Sequence, residues 1–173
     1  VVSGDRDLLA ELWAYSVLHG ATPSPFDALN ALRGIRTLAV RTTHQADSAL
    51  YLAESLVDHP QVSEVCYPGL PGHPQFDLAK RQMNNGGTVL AIDLAGGRAA
   101  ADQVMAALQL VRPATSLGGP ETLVCHPMTS THASLSPAEA AETGVTEGLL
   151  RISVGLEHPA DVLADLLQAL ERI

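Results

Sequence analysis

The sequence is poor in basic and aromatic residues, and Lys80 is its single lysine. Aromatic residues make up 3% of the 173 residues, and the net charge is −9 because 19 acidic residues outnumber 10 basic ones. A chain of this charge with so few rings has little to offer a phosphate backbone, so we predict that it does not bind nucleic acid. Its hydrophobic content of 46% is typical of a globular domain, here with a core mainly of leucine, valine and alanine.

Long apolar runs and closely spaced cysteines are absent as well. No run approaches the roughly 18 apolar residues that a membrane span needs, and the N-terminus lacks the pattern of a signal peptide. Cys66 and Cys125 lie far apart, without CxxC spacing. We interpret them as ordinary thiols of a reducing compartment, with a disulfide or a redox role as the alternative. The sequence therefore predicts a cytoplasmic protein without a membrane partner.

Hydrophobic periodicity predicts that helices come first along the chain. Helices are predicted over residues 5–18, from Pro25 onwards, over 44–57, after Gly96-Gly97, over 136–143 and from Pro159. The helix over 136–143 begins with a capping box of Ser136 and Glu139. Lys80 lies beside Arg81 in DLAKRQM, which we interpret as a solvated helix face.

Strands are predicted in the second part of the chain. The candidates are residues 62–67, 88–93, 110–114, 122–125 and 149–154, of which the third and fourth are weaker. In LLRISVG, Leu150 and Ile152 point to one face of a strand, while Arg151 points to the other. We therefore expect an α/β or α+β fold with a three-helix lead-in and a four-stranded sheet covered by helices.

Arg151 is the best single candidate for a binding residue. An arginine in the middle of a short strand is unusual unless its guanidinium has a partner, and its planar fork suits a carboxylate. The alternative, which periodicity alone favours, is a structural ion pair with one of the chain's own acidic residues.

The segment TSLGGPETLVCHPMTSTHASL, residues 115–135, is the other candidate. Paired glycines allow a close backbone approach to a ligand, but on pattern alone Ser116 to Gly119 is better explained as a turn. His126 and His132 lack a third ligand at metal spacing, so no zinc site is predicted. A Ser-His-Asp triad finds no nucleophile elbow to support it.

Four stretches in this order are recognisable: SPFDALNALRGIRTLAVR, VCYPGLPGHPQFDLAKRQM, the segment 115–135, and GVTEGLLRISVGLEHPADVLADLLQAL. They resemble the Cys/Met-metabolism family of pyridoxal-phosphate enzymes, which includes cystathionine γ-lyase, cystathionine γ-synthase, methionine γ-lyase and the homoserine-ester sulfhydrylases. The resemblance covers essentially the whole chain, but only the C-terminal part of such an enzyme. It implies the C-terminal domain of a fold-type I enzyme, with residues 1–58 as a helical link from the cofactor domain and 59–173 as a domain with a small, mainly antiparallel sheet.

The resemblance implies that the cofactor, pyridoxal 5'-phosphate, is held mainly by an N-terminal domain outside this chain. In the family, the lysine that binds it as a Schiff base lies shortly before the segment that matches Val1-Val2, while Lys80 matches a surface helix. We therefore predict no catalytic residue in this chain, which by itself should be inactive. The other implied partners are a small amino-acid substrate and further copies of the chain in a homotetramer.

The resemblance also assigns substrate-binding residues. Arg151 matches the arginine that binds the substrate α-carboxylate. Ser116, with the Leu117 backbone beside it, matches the serine near that carboxylate, and Thr131 matches a threonine that lines the same pocket.

Thr115 is a departure that bears on the substrate. Cystathionine-handling members often carry glutamate at this position, where a carboxylate can meet the distal amino group of cystathionine. Threonine favours a methionine γ-lyase-like or sulfhydrylase-like substrate. The sequence thus predicts the C-terminal part of a sulfur-amino-acid lyase. The alternatives are a γ-replacement enzyme and a non-catalytic module that binds a carboxylate or mediates dimerisation.

Overall fold

The computed structural model describes residues 4–173, whose backbone contacts divide into two compact units that meet between Ala39 and Val40. The first unit holds α1 (Arg6–His19) and α2 (Pro25–Arg36). Neither of these two helices buries any of its residues. Their apolar side chains are therefore exposed, including Leu18 at 82% and Phe26 at 78%.

Side-chain caps fix where the first two helices begin. The Asp5 carboxylate accepts hydrogen bonds from the backbone N–H groups of Asp7 and Leu8, at 2.9 and 3.3 Å. Ser24 and Asp27 form a reciprocal capping box at the start of α2. Such caps satisfy N–H groups that have no partner within the helix. The helices predicted over 5–18 and from Pro25 are confirmed.

The second unit contains most of the secondary structure. Helix α3 (Leu38–Leu56) runs across the boundary between the units. It is followed by β1 (Val62–Cys66), α4 (Phe76–Gln82), β2 (Val89–Leu94), α5 (Gly97–Ala107), β3 (Arg112–Pro113), β4 (Leu123–Cys125), a 3₁₀ helix (Pro127–Thr129), α6 (Pro137–Thr143), β5 (Leu149–Ser153) and α7 (Pro159–Leu170). Within residues 4–173, every helix is too short or too polar to cross a lipid bilayer.

The strands form one sheet in the order β1-β2-β5-β4-β3. All neighbours are antiparallel except β3 and β4, which run parallel. The predicted mainly antiparallel sheet is confirmed, but the expected number of four strands is wrong. The fifth strand, β3, has two residues and lies at the edge of the sheet, where the missing N–H of Pro113 leaves no second neighbouring strand without a donor.

The core lies between one face of the sheet and three helices. Leu90, Ile92, Leu150 and Ile152 alternate with less buried residues and point into it. Helices α3, α5 and α7 supply the other side, through residues such as Leu52, Leu56, Val104, Leu166 and Leu170. The opposite face of the central strand β5 therefore carries Arg151, as the alternation in LLRISVG predicts.

The two compact units do not coincide with the predicted segments 1–58 and 59–173. The units meet at 39/40 because α3 buries Ala46, Ala49 and Leu52 in the core of the second unit. The predicted role of residues 1–58 as a link to a cofactor domain stays a prediction. Its first residues, Val1 to Ser3, lie outside the described residues.

Asp165 on α7 fixes the segment between α5 and β3. Its carboxylate accepts hydrogen bonds from three successive backbone N–H groups, those of Gln109, Leu110 and Val111, at 2.8 to 2.9 Å. Burial raises the pKa of Asp165, but these bonds and one from Gln168 together lower it below its ordinary 3.8. The charged form is thus the one that the folded chain stabilises.

We predict that Asp165→Asn lowers the free energy of unfolding at pH 7 by about 2 kcal/mol, because an amide cannot replace a carboxylate that accepts several backbone hydrogen bonds. The folded pKa lies below the unfolded one, so this stabilisation is complete above the unfolded pKa and is lost as the pH falls through the folded pKa. Denaturant unfolding at pH 7 and at decreasing acidic pH measures both effects.

Asp161→Asn is the control, because Asp161 is an exposed residue in the first turn of the same helix. It should cost less than about 1 kcal/mol. An equal loss in the two variants, or an unchanged acid dependence in Asp165→Asn, would contradict the role of the buried carboxylate.

Candidate functional site

Arg151 lies at the centre of the sheet, in β5, with its Cα opposite Ala91 of β2 and Cys125 of β4. Its Nη2 donates hydrogen bonds to the backbone carbonyls of Thr115 at 2.5 Å and Ser116 at 3.2 Å. The structure therefore brings together three of the predicted site residues. The contact uses the backbone of the loop and leaves the exposed Thr115 and Ser116 side chains free of the guanidinium.

The Arg151 guanidinium also has an N–H donor that the loop carbonyls do not bind. Its Nε is buried and has no hydrogen-bond partner among residues 4–173. Within the same residues, Arg151 forms no ion pair with an acidic side chain, so the structure does not support a structural ion pair for Arg151. A half-buried cation with an unpaired buried donor is suited to an anionic group from outside the chain.

The loop of residues 115–120 is held against the end of β5. Gly118 N–H donates to Ser153 Oγ at 3.2 Å, and Leu156 N–H donates to the Pro120 carbonyl at 2.7 Å. Gly118 has φ of 77°, a left-handed conformation that glycine adopts without strain. The chain thus bends at Gly118 and Gly119, and the residues before this bend, Thr115 and Ser116, present their carbonyls to Arg151.

A glycine also allows the close approach between the loop and the strand. A Cβ on Gly155 would collide with the Pro120 carbonyl oxygen and with the Glu121 backbone. The Gly155 N–H donates to Thr122 Oγ1 at 2.9 Å, and the Thr122 hydroxyl donates to Glu157 at 2.7 Å. The segment after β5 and the segment after the loop are therefore joined side by side.

Thr131 lies apart from this hydrogen-bond network. It is exposed in the turns that follow the 3₁₀ helix, and its hydroxyl lies 2.8 Å from His132 Nδ1. No hydrogen bond between the described residues joins it to Arg151. Leu117 is also exposed, at 58%. Their predicted place in the substrate pocket stays a prediction.

His126 is a buried structural residue. Its Nε2 lies 2.9 Å from the Glu147 carbonyl and its Nδ1 lies 3.0 Å from the Thr129 hydroxyl. Because a carbonyl only accepts, Nε2 carries a proton and donates it to Glu147, while Nδ1 lies within hydrogen-bond distance of the Thr129 hydroxyl. Both ring nitrogens are therefore engaged. Among residues 4–173, no three His, Cys, Asp or Glu side chains come together as a metal site.

The single lysine lies on the surface. Lys80 is an exposed residue of α4, with its Nζ 5.3 Å from the centre of the Phe76 ring. A lysine that holds a carbonyl cofactor needs a lowered pKa, which burial among apolar groups provides. This exposed position does not fit that role. Cys66 and Cys125 are both free thiols.

Two cavities of the second unit do not include Arg151 in their lining, but the second adjoins it, because Ala91 and Leu149 on the same face of the sheet line that cavity. One of about 360 Å³ lies between α3, the Tyr67–Gly69 turn and α4, and another of about 250 Å³ lies beside β1, β2 and the end of α6. At the first, burial and the Asp47 carboxylate raise the pKa of Tyr67 to about 12. The Arg151 site is instead an open surface, so further protein must cover it if water is to be excluded.

Sequence reasoning missed two residues of the site, Gln45 and Ser153. The Gln45 side chain donates to the Gly119 and Val154 carbonyls, both at 2.8 Å, and Ser153 accepts from Gly118. Gln45 is separated from those two residues by 74 and 109 positions, so no local pattern connects them. A polar residue within the apolar stripe of α3 was the one available signal.

Comparisons with known proteins agree with this fold. The family model described as Cys/Met metabolism PLP-dependent enzyme matches residues 1–171. A curated L-methionine gamma-lyase of Pseudomonas deceptionensis is 49% identical over 89% of this chain and 39% of its own length. A cystathionine beta-lyase of Coxiella burnetii is 42% identical over 98% of this chain and 44% of its own.

A solved cystathionine gamma-lyase of Micromonospora echinospora superimposes with a TM-score of 0.90 at 39% identity, over 98% of this chain and 44% of that one. The chain thus spans about two fifths of the length of the curated relatives it matches.

Proposed function

Because the chain belongs to the Cys/Met metabolism family of pyridoxal-phosphate-dependent enzymes, we propose that it is the C-terminal part of a sulfur-amino-acid lyase. Such a lyase would eliminate at a methionine- or cystathionine-type substrate. The observation that carries the proposal is the Arg151 guanidinium, which the backbone of the Thr115–Ser116 segment holds while its Nε stays buried without a partner among the described residues.

Arg151 binds and orients the substrate in this proposal. Its unpaired donors grip the α-carboxylate, with Ser116, the Leu117 backbone and Thr131 lining the same place. When bound, pyridoxal 5'-phosphate supplies an electron sink, and a fixed carboxylate decides which bond at Cα faces it. The lysine that handles the proton belongs to the part of the enzyme outside this chain, so residues 1–173 alone should not turn over substrate.

The apolar surface of the first unit supports an N-terminal cofactor domain as partner. Exposed apolar side chains line α1 and α2, among them Trp13, Leu18, Phe26, Leu29 and Ile35. A contiguous exposed apolar surface on a water-soluble protein marks an interaction site. Since the relatives have more than half of their length outside the matched part, we propose that the rest of the same enzyme covers this surface. A homotetramer in the cytoplasm, where the two thiols remain reduced, completes the proposal.

Two alternatives remain. A γ-replacement enzyme, either an O-acylhomoserine sulfhydrylase or a cystathionine γ-synthase, would use the same contact between Arg151 and the carboxylate. An O-succinylhomoserine sulfhydrylase and a cystathionine gamma-synthase match the chain at 40% and 42% identity. A non-catalytic module that binds a carboxylate or mediates dimerisation would lack a lysine-bearing cofactor domain upstream. Assaying the full-length enzyme with methionine, cystathionine and an O-acylhomoserine plus sulfide distinguishes these functions.

In the full-length enzyme, Arg151→Ala should raise KM for the amino acid about a hundredfold, because charge-assisted hydrogen bonds to the α-carboxylate are lost. The KM of Arg151→Lys should lie between those of the wild type and Arg151→Ala, since an ammonium keeps the charge but not the planar arrangement of N–H donors. Steady-state kinetics measures both. Arg112→Ala, at an exposed arginine of the edge strand β3, is the matched control and should leave KM unchanged. An unchanged KM in Arg151→Ala would overturn the proposal.

Thr115→Glu tests the substrate class. Its side chain is exposed and its carbonyl already binds Arg151, so a longer acidic side chain can be added without disturbing that bond. We predict that kcat/KM for cystathionine relative to methionine rises about fivefold, which corresponds to about 1 kcal/mol for a partly exposed ion pair with the distal amino group. Thr115→Gln introduces a side chain of the same shape as glutamate but without the charge, so it should not change the ratio of kcat/KM for the two substrates. Equal shifts in the two variants would contradict a charge effect.

The double substitution Phe26→Ser and Leu29→Ser tests the covered surface. In the full-length enzyme, it should lower the free energy of unfolding by about 2 kcal/mol per side chain, because both would lose apolar contacts with the cofactor domain. Thermal unfolding measures the loss. Val57→Ser and Leu78→Ser, at exposed apolar residues of the second unit, form the control pair. The surface is not covered as proposed if the two pairs have the same small effect.

A further inference from the structure

Gln45 is a buried glutamine in the middle of α3, where its side chain is 2% exposed. Its Nε2 donates one hydrogen bond to the Gly119 carbonyl and another to the Val154 carbonyl, both at 2.8 Å. Both N–H groups of the amide are thus used. Two carbonyls cannot bond to each other, so the amide is what allows them to lie side by side in the interior.

The two carbonyls belong to the two parts of the Arg151 site. Gly119 belongs to the loop whose Thr115 and Ser116 carbonyls hold the guanidinium, and Val154 directly follows the strand that carries Arg151. Gln45 therefore joins the loop to the strand and anchors both to a helix of the core. The hydrogen bonds from Gly118 to Ser153 and from Leu156 to Pro120 flank this joint and link the same two segments.

We propose that Gln45 is a positioning residue for the carboxylate site: it fixes the distance between the loop and β5, and thereby the direction in which Arg151 presents its unpaired donors. This inference rests on the proposed function. Gln45 does not touch the substrate. It acts through the loop carbonyls, which set the position of the guanidinium within the fraction of an ångström that a two-point grip requires.

The side chain at this position has to provide two donors from one short, neutral group. Methionine has nearly the same volume and flexibility but no donor, so it leaves both carbonyls without their partner and creates no large cavity. Asparagine keeps the amide but is one methylene shorter, so it can reach only one of the two carbonyls. Gln45→Met therefore removes both hydrogen bonds between the side chain and the two carbonyls, and Gln45→Asn removes one of them.

Gln168 provides a matched control. It is a half-buried glutamine on α7 whose Nε2 donates to the Ala107 carbonyl at 2.9 Å and to the Asp165 carbonyl and carboxylate at 3.1 Å. Its substitution by methionine also removes part-buried hydrogen bonds from a glutamine amide to backbone carbonyls, together with one to the Asp165 carboxylate. None of its partners belongs to the loop or to β5. Gln168→Met therefore shows how much a loss of stability alone changes KM.

The test compares Gln45→Met, Gln45→Asn and Gln168→Met in the full-length enzyme, with Arg151→Ala in the same assay. We expect Gln45→Met to raise KM for the amino acid about tenfold with kcat changed less than about threefold, and Gln45→Asn to lie between this variant and the wild type. Gln168→Met should lower the melting temperature to a similar extent and change KM less than about twofold.

Each outcome bears on the inference. Equal changes of KM in Gln45→Met and Gln168→Met, or an unchanged KM in Gln45→Met, would show that Gln45 serves stability alone. If Gln45→Met does not fold, an unchanged KM in the milder Gln45→Asn overturns the inference in the same way. If Arg151→Ala leaves KM unchanged, the proposed function itself fails. If Arg151→Ala raises KM and the Gln45 variants do not, only the positioning role is lost.

Discussion

The site depends on the way a cation is held at the centre of a sheet without a carboxylate of its own chain. Two backbone carbonyls of one loop satisfy Nη2 of Arg151, and no ion pair with a described acidic residue neutralises it. Neutral acceptors orient the guanidinium and leave its charge available. A structural ion pair would have stabilised the same rotamer but would have competed with any incoming anion. This constraint explains why a glycine-containing loop, a buried glutamine and a buried serine all converge on the end of one strand.

Much of the fold follows from local patterns. Caps at Asp5 and Ser24, the alternation in LLRISVG and the apolar stripes of α3 and α7 all have short-range causes. The corresponding elements lie where these patterns predict, except that α3 begins at Leu38 and not at residue 44. All five strands were candidates, but the number in the sheet was expected to be four, because two residues such as Arg112 and Pro113 carry no periodicity and form a strand only by pairing with β4. The units defined by contacts also differ from the predicted segments, since α3 is continuous in sequence but its second half packs on the sheet.

The candidate site divides in a similar way. Arg151 could be found from one anomalous charge in an apolar strand, and the loop could be found from its paired glycines. The sequence could not predict which atoms of the loop contact Arg151. The contacts are made by the backbone carbonyls of Thr115 and Ser116, and every residue has a carbonyl. Gln45 and Ser153 were missed because they act across large separations along the chain. The roles of Ser116, Leu117 and Thr131 were predicted from the resemblance to a family, and the hydrogen bonds of these residues do not by themselves indicate those roles.

The difference between the two units has a consequence for local unfolding. Residues 40–173 share a continuous apolar core, whereas α1 and α2 bury none of their residues. Short helices without tertiary packing are marginal in water, so little free energy opposes their opening. Amide protons of α1 and α2 in the isolated chain will therefore exchange with solvent far faster than those of β2 and β5. If the proposed cofactor domain covers the first unit, slower exchange of its amide protons in the whole enzyme would measure, residue by residue, how firmly that domain holds it.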